Sequence, residues 1–347
     1  MKISDISSFM TPKTIKAELD KYVIGQEEAK KSIAALSWDI QLSMAGLPVS
    51  KNNYLITGPT GSGKSYLIKN LAKILKVPFA SVDASTLTGA GYRGEDVEQV
   101  LERLCAVSDD ISDAEHGIVF VDEFDKLLVD KNRDSTSLLV QSEFLKMIEG
   151  EVIDLNDHGK PSQMRKKPII NTSHITFIFA GAFSFIEKKK ERAIGFYDSK
   201  DNNEISSDEF CDFGIMPELM GRITRVLHLN KLTREDYINI LLSSKESIIK
   251  EYKKLLSYSG VSLEVDKAVI EMIADNAVKK DFGARGLNHV LENIFEDIKY
   301  EIPSDNTITK CRVVLDKNNE FSYTLKRDPD VRREMRFYKE ECDDISA

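Results

Sequence analysis

The runs Tyr54-Leu55-Ile56, Phe79-Ala80-Ser81-Val82, Ile118-Val119-Phe120-Val121 and Ile175-Thr176-Phe177-Ile178-Phe179 are short and nearly continuous in apolar residues. That is how strands read when both faces of a parallel sheet are covered. A further strand is predicted over 225–229. Between these runs the apolar period lengthens to that of a helix: Leu67, Ile68, Leu71, Ile74 and Leu75 share one face, and Leu138, Phe144, Leu145 and Ile148 give a packing surface to 137–148. Helices are also predicted from Thr11-Pro12, where proline suits a first turn, and over 27–43. From about Leu232 the pattern changes to helices joined by one short strand region. The clearest is 286–300, with Leu287, Val290, Leu291, Ile294, Phe295 and Ile298 on one face. Strands alternating with helices give an α/β class, a parallel sheet flanked by helices, followed by a smaller, mostly helical domain. The expected boundaries are 1–231, 232–325 and a charged tail over 326–347.

Composition narrows the class. The chain has 347 residues, too many for one small core, with 41% hydrophobic and 30% charged positions. The net charge of −9 argues against nucleic-acid binding, since neutralising phosphates needs excess Lys and Arg. No apolar run approaches the roughly 18 residues of a membrane span, and Met1-Lys2-Ile3-Ser4-Asp5 lacks a signal-peptide core, so a cytoplasmic protein without membrane contact is expected. The four cysteines, Cys105, Cys211, Cys311 and Cys342, are far apart with no C-x-x-C pair, as for reduced thiols without a zinc site.

The chemistry gathers around Gly58-Pro59-Thr60-Gly61-Ser62-Gly63-Lys64-Ser65, which fits the phosphate-loop pattern G-x-x-x-x-G-K-[ST] and lies between a predicted strand and a predicted helix. Glycines let successive backbone N–H groups turn toward phosphate oxygens, and the helix N-terminus favours an anion. Lys64 is placed to reach the β and γ phosphates of ATP and Ser65 to hold Mg²⁺, with Tyr66 following them into the nucleotide-binding segment. Asp122 and Glu123 end the strand begun at Gly117, and ligands gather at the C-terminal ends of parallel strands. Asp122 then belongs to the Mg²⁺ shell and Glu123 polarises the attacking water.

Other stretches are more open. Val23 and Ile24, before the helix over 27–43, suit either an adenine ring or the core. Tyr92 and Arg93 sit among glycines in 89–94, where a large ring has no core to bury it. Arg165-Lys166-Lys167 ends a polar loop. Ile194-Gly195-Phe196 is an apolar island in a basic stretch, a docking loop or a small strand. Arg222 follows a glycine at the end of a short helix. Arg285 opens a helix where a cation opposes the dipole, so it should meet a negative group, ATP phosphates being one candidate.

Taken in order, Tyr22-Val23-Ile24-Gly25-Gln26, the phosphate loop, 90–97, Val121-Asp122-Glu123, 213–222 and Gly283-Ala284-Arg285-Gly286-Leu287 resemble the ClpX family of AAA+ protein unfoldases over roughly residues 10–325. The resemblance implies a homohexameric ring with ATP between subunits. It also implies an adenine pocket at Val23 and Ile24, an arginine finger at Arg222, and a nucleotide sensor at Arg285. Tyr92 becomes the pore aromatic that grips protein substrates, and Ile194-Gly195-Phe196 the tripeptide that docks on a ClpP-type peptidase. The sequence departs from the family in lacking its N-terminal zinc-binding domain, so no zinc is expected. It carries Arg93 in the Gly-Tyr-Val-Gly pore motif, a shorter docking loop, and Arg165-Lys166-Lys167 in place of Arg-Lys-His. It also shows no polar side chain at Ala180-Gly181-Ala182. The alternatives are an HslU-like unfoldase serving another peptidase, a remodelling chaperone without a peptidase, and a regulatory nucleotide-binding scaffold.

Overall fold

The computed structural model describes residues 9–87, 96–128, 135–155, 168–184, 206–280 and 283–330. Two compact units result: one runs to Asp20 and resumes over Gln26–Asn230, and the other takes Lys21–Gly25 with the chain from Lys231 on.

The first unit is built on five parallel strands, β1 (Tyr54–Thr57), β2 (Phe79–Asp83), β3 (Ile118–Asp122), β6 (Thr176–Ala180) and β7 (Arg225–His228), in the order β2-β3-β6-β1-β7. In register, Leu55 faces Phe179 on one side and Val226 on the other, and Val119 faces Phe177. The continuous apolar runs have their explanation here, because β1, β3 and β6 are interior strands with almost every side chain buried. Around the sheet lie α1 (Pro12–Asp20), α2 (Glu27–Met44), α3 (Lys64–Leu75), α4 (Gln99–Ala106), α5 (Ile111–Ala114), α6 (Ser135–Glu149), α7 (Ser207–Asp212) and α8 (Pro217–Met220). The core closes on Phe179, whose ring lies 4.8 Å from Phe124 and 5.5 Å edge-on from Phe144, all fully buried.

One element escapes the sequence pattern. β4 (Val152–Asp154) and β5 (Ile169–Asn171) pair antiparallel, with Ile153 opposite Ile170. Three residues are too few for alternation to register, and Val152 and Ile169 stay exposed.

The second unit contains α9 (Arg234–Leu242), α10 (Ile248–Tyr258), α11 (Lys267–Lys280) and α12 (Gly283–Glu301), with β8 (Ser262–Val265), β9 (Ile308–Leu315) and β10 (Phe321–Arg327). Leu287, Leu291, Phe295 and Ile298 of α12 are buried in its core, with Val290 packed against it. Three strands in the order β10-β9-β8 replace the single strand region expected, and β10 pairs through Lys326 and Arg327, past the expected start of the tail. A turn in which Asp316 Oδ1 accepts from the backbone N–H of Asn318 and Glu320 joins β9 to β10, and these polar residues hide the hairpin from a hydrophobic pattern. Lys21–Gly25 belong with this unit because Ser244 Oγ donates to the Tyr22 carbonyl (3.1 Å) and Lys245 N to that of Lys21 (2.7 Å).

Candidate functional site

The loop between β1 and α3 is shaped by backbone demands that few side chains tolerate. Gly58, Gly61 and Gly63 all hold positive φ. At Gly58 a Cβ would lie 2.3 Å from the Leu229 carbonyl oxygen, so the loop passes too close to the end of β7 for any larger residue. Gly63 starts α3 with a left-handed conformation and no side-chain cap, so among the described residues no side chain caps the first N–H groups of the helix through the N-cap position. A Cβ on Gly63 would meet nothing within 4 Å. Lys64, in the first turn, opposes the helix dipole unless an anion sits beside it. Its buried ammonium donates to the carbonyls of Gly58 (2.7 Å) and Pro59 (3.0 Å).

Across the sheet, β3 delivers Asp122 and Glu123. Ser65 Oγ donates to Asp122 Oδ2 at 2.6 Å, joining the start of α3 to the end of β3. Glu123 is exposed and holds φ +53°, a left-handed conformation costing a non-glycine residue about 1–2 kcal/mol. Its N–H donates to Asp122 Oδ1 at 3.0 Å, which ties the turn to the Asp122 carboxylate.

These residues fit a magnesium nucleotide. Among the described residues the buried Ser62 hydroxyl has no hydrogen-bond partner, an uncompensated polar group in the loop itself. The uncapped helix start, the lysine in its first turn and the open space over Gly63 suit phosphates. The Ser65 hydroxyl with the Asp122 carboxylate is a hard oxygen pair suited to Mg²⁺.

The structure thus gathers Gly58, Pro59, Thr60, Gly61, Ser62, Gly63, Lys64, Ser65, Tyr66, Asp122 and Glu123 around one loop and two strand ends. Other predicted residues lie on other elements. Val23 is buried and Ile24 half-buried in the segment belonging to the second unit. Arg285 lies in the first turn of α12, which contains no acidic residue. Arg222 follows α8, and its half-exposed guanidinium donates to Glu149 Oε1 at 2.8 Å. Tyr92, Arg93, Ile194, Gly195 and Phe196 lie outside the described residues, as does Arg165-Lys166-Lys167.

Gln26 is a residue whose role the sequence pattern does not reveal. It begins α2 with φ +58°; its Nε2 donates to the carbonyls of Asn230 (2.8 Å) and Ser62 (3.4 Å), while its Oε1 accepts from Asn230 N (2.9 Å). It therefore braces the phosphate loop from the side, and its place in Val23-Ile24-Gly25-Gln26 was the available signal.

The family described as AAA domain (Cdc48 subfamily) matches residues 50–226, and the C-terminal, D2-small domain, of ClpB protein matches residues 232–315. The chain is 38% identical over 333 residues to the ATP-dependent Clp protease ATP-binding subunit ClpX of Borrelia duttonii, covering 88% of this chain and 78% of that protein. The protein of the same name from Porphyromonas gingivalis is 36% identical, with 88% and 80% covered, and that from Treponema denticola 39% identical, with 85% and 78% covered. The chain belongs to the ClpX family. As a ClpX-family AAA+ ATPase it binds and hydrolyses ATP, and the parallel sheet and smaller helix-and-strand unit are the two parts those matches cover. Among the described residues no helix is long and apolar enough to cross a membrane.

Proposed function

We propose that the chain is an ATP-driven protein unfoldase and translocase that works as a ring hexamer and feeds a ClpP-type peptidase. The observation that carries its motor chemistry is the joining of the phosphate loop to β3 through Ser65 and Asp122, with Glu123 next in the chain in a left-handed conformation. Bound Mg-ATP supplies the phosphoanhydride whose cleavage releases the free energy for work on a protein substrate. Lys64 and the backbone N–H groups from Gly61 to Ser65 orient the phosphates, while Ser65 and Asp122 hold the cation. Glu123 orients water and takes its proton, and its exposure leaves it free to do so. Arg222, half-exposed and paired with Glu149, is available to reach the γ-phosphate of a neighbouring subunit, which is worth roughly 10³–10⁵ in rate. Tyr92 grips substrate in the pore beside Arg93, and Ile194-Gly195-Phe196 docks on the peptidase, six weak anchors adding through avidity. Val23, Ile24 and Arg285 contact nucleotide. The relatives' shared name, ATP-binding subunit of an ATP-dependent Clp protease, supports the peptidase partnership.

The test is ATP-dependent loss of fluorescence from a tagged fluorescent protein, with and without a ClpP-type peptidase. Unfolding that becomes degradation only with the peptidase is the expected result. Unfolding never coupled to degradation would replace the partnership with a free-standing remodeller, and ATP turnover without unfolding would remove the unfoldase reading.

A further inference from the structure

Immediately after Glu123 the chain makes two contacts with the end of β6. The Phe124 ring, fully buried, packs 4.8 Å from Phe179. The Asp125 carboxylate, 5% exposed, accepts the backbone N–H of Phe183 at 3.2 Å through Oδ2. Phe183 is itself left-handed, with φ +49°, and its buried ring sits edge-on 5.3 Å from Phe210 of α7. One buried carboxylate thus holds the positive-φ Phe183 through its N–H and follows the positive-φ Glu123 by two residues in the chain. Gly181 completes the fit: a Cβ there would lie 2.6 Å from Asp125 Oδ1 and 2.7 Å from the Phe183 ring. Because β6 lies between β3 and β1, this junction stands between the strand that delivers Glu123 and the strand that enters the phosphate loop.

Strained backbone persists only where surrounding structure over-determines it, and a buried carboxylate needs hydrogen-bond donors. Asp125 meets both demands at once. We propose that Asp125 is a positioning residue for hydrolysis: by fixing the Phe183 turn and filling the space left by Gly181, it locks the left-handed Glu123 in its aim. This rests on Glu123 acting on water, the reading given above. Among the described residues Asp125 makes no hydrogen bond to the groups assigned to phosphate or cation, so its loss should misplace the base without weakening binding. A misplacement of about 1 Å at a reacting group costs on the order of a hundredfold.

The experiment compares Asp125→Ala, Asp125→Asn and Gly181→Ala in the full chain by steady-state ATP hydrolysis, binding of a fluorescent ATP analogue and thermal melting. Asp125→Ala should lower kcat by about ten- to a hundredfold with KM and analogue affinity within about twofold. Asparagine keeps an oxygen for the Phe183 N–H, so Asp125→Asn should restore most of that loss. Gly181→Ala should copy Asp125→Ala, because the added methyl displaces the carboxylate. Asp125→Asn as impaired as Asp125→Ala would overturn the proposal, as would unchanged kcat in Asp125→Ala or a parallel collapse of analogue affinity. Glu123→Gln run alongside separates the two readings. If it still hydrolyses ATP, the role of Glu123 falls and this proposal with it. If it is inactive while Asp125→Ala turns over normally, only the Asp125 proposal falls.

Discussion

In the proposed mechanism Glu123 bears the functional weight of the site at the residue scale, and its backbone shows why its identity and its conformation are separate facts. The adjacent acids were legible in the sequence because a strand must end before a carboxylate can reach a ligand at the sheet edge. The left-handed turn was not, because the residues that follow it, Phe124 and Asp125, meet β6 and the turn beyond it, contacts no local pattern encodes. The phosphate loop was legible for the opposite reason: at Gly58 the Leu229 carbonyl leaves room for no Cβ, so the requirement appears as a fixed glycine. Glu123→Gln keeps the side-chain shape and removes the base. It should leave ATP binding intact while turnover falls by about 10²–10⁴, the span that general-base catalysis supplies. Phosphate release and analogue binding, measured on the same preparation, check this, and turnover near that of the unaltered protein would reassign the base.

Among the elements, those spaced by long periods were readable and those made by short polar pairings were not. The interior strands and α12 carry their burial in their residue order, whereas β4, β5 and β10 exist because a partner strand is beside them. The junction of α1 and α2 shows the same limit for charge. Lys30, whose side chain is 3% exposed, pairs with Asp20 and with Glu27 Oε1 (2.7 Å), and Lys16 reaches Glu27 Oε2 (2.5 Å). Hydrogen bonds from Lys16 and then Lys30 hold the Glu27 carboxyl below its ordinary value of 4.5. A carboxyl depressed by folding contributes stability above its unfolded pKa, and that contribution is lost as pH falls through the lower folded value. Melting temperature should therefore drop on acidification below about pH 4.5, and Glu27→Gln should flatten part of that drop. At neutral pH the same substitution should cost about 1 kcal/mol, since the carboxylate is largely exposed. An identical acid profile in the variant would assign the sensitivity to other carboxylates.

At the scale of the whole molecule, the described residues place Asp122 and Glu123 beside the phosphate loop of their own subunit and give Arg222 only Glu149 as an ionic partner. If Arg222 acts on a neighbour's nucleotide, one interface needs Glu123 from the subunit holding ATP and Arg222 from the next. Glu123→Gln and Arg222→Ala chains should then each be inactive alone, yet mixed rings should recover activity. An Arg222→Ala subunit still offers its own Glu123, and a Glu123→Gln neighbour still offers Arg222. In a head-to-tail ring assembled at random from equal amounts, about one quarter of interfaces combine the intact halves in the right order. Recovered hydrolysis should therefore approach a quarter of the unaltered rate if interfaces fire independently, and less if the ring requires several working neighbours. The decisive comparison is hydrolysis after the two variants are unfolded together and refolded, against each refolded separately. No recovery from rings shown by sedimentation to be mixed would place Arg222 on its own subunit's nucleotide, or outside catalysis altogether.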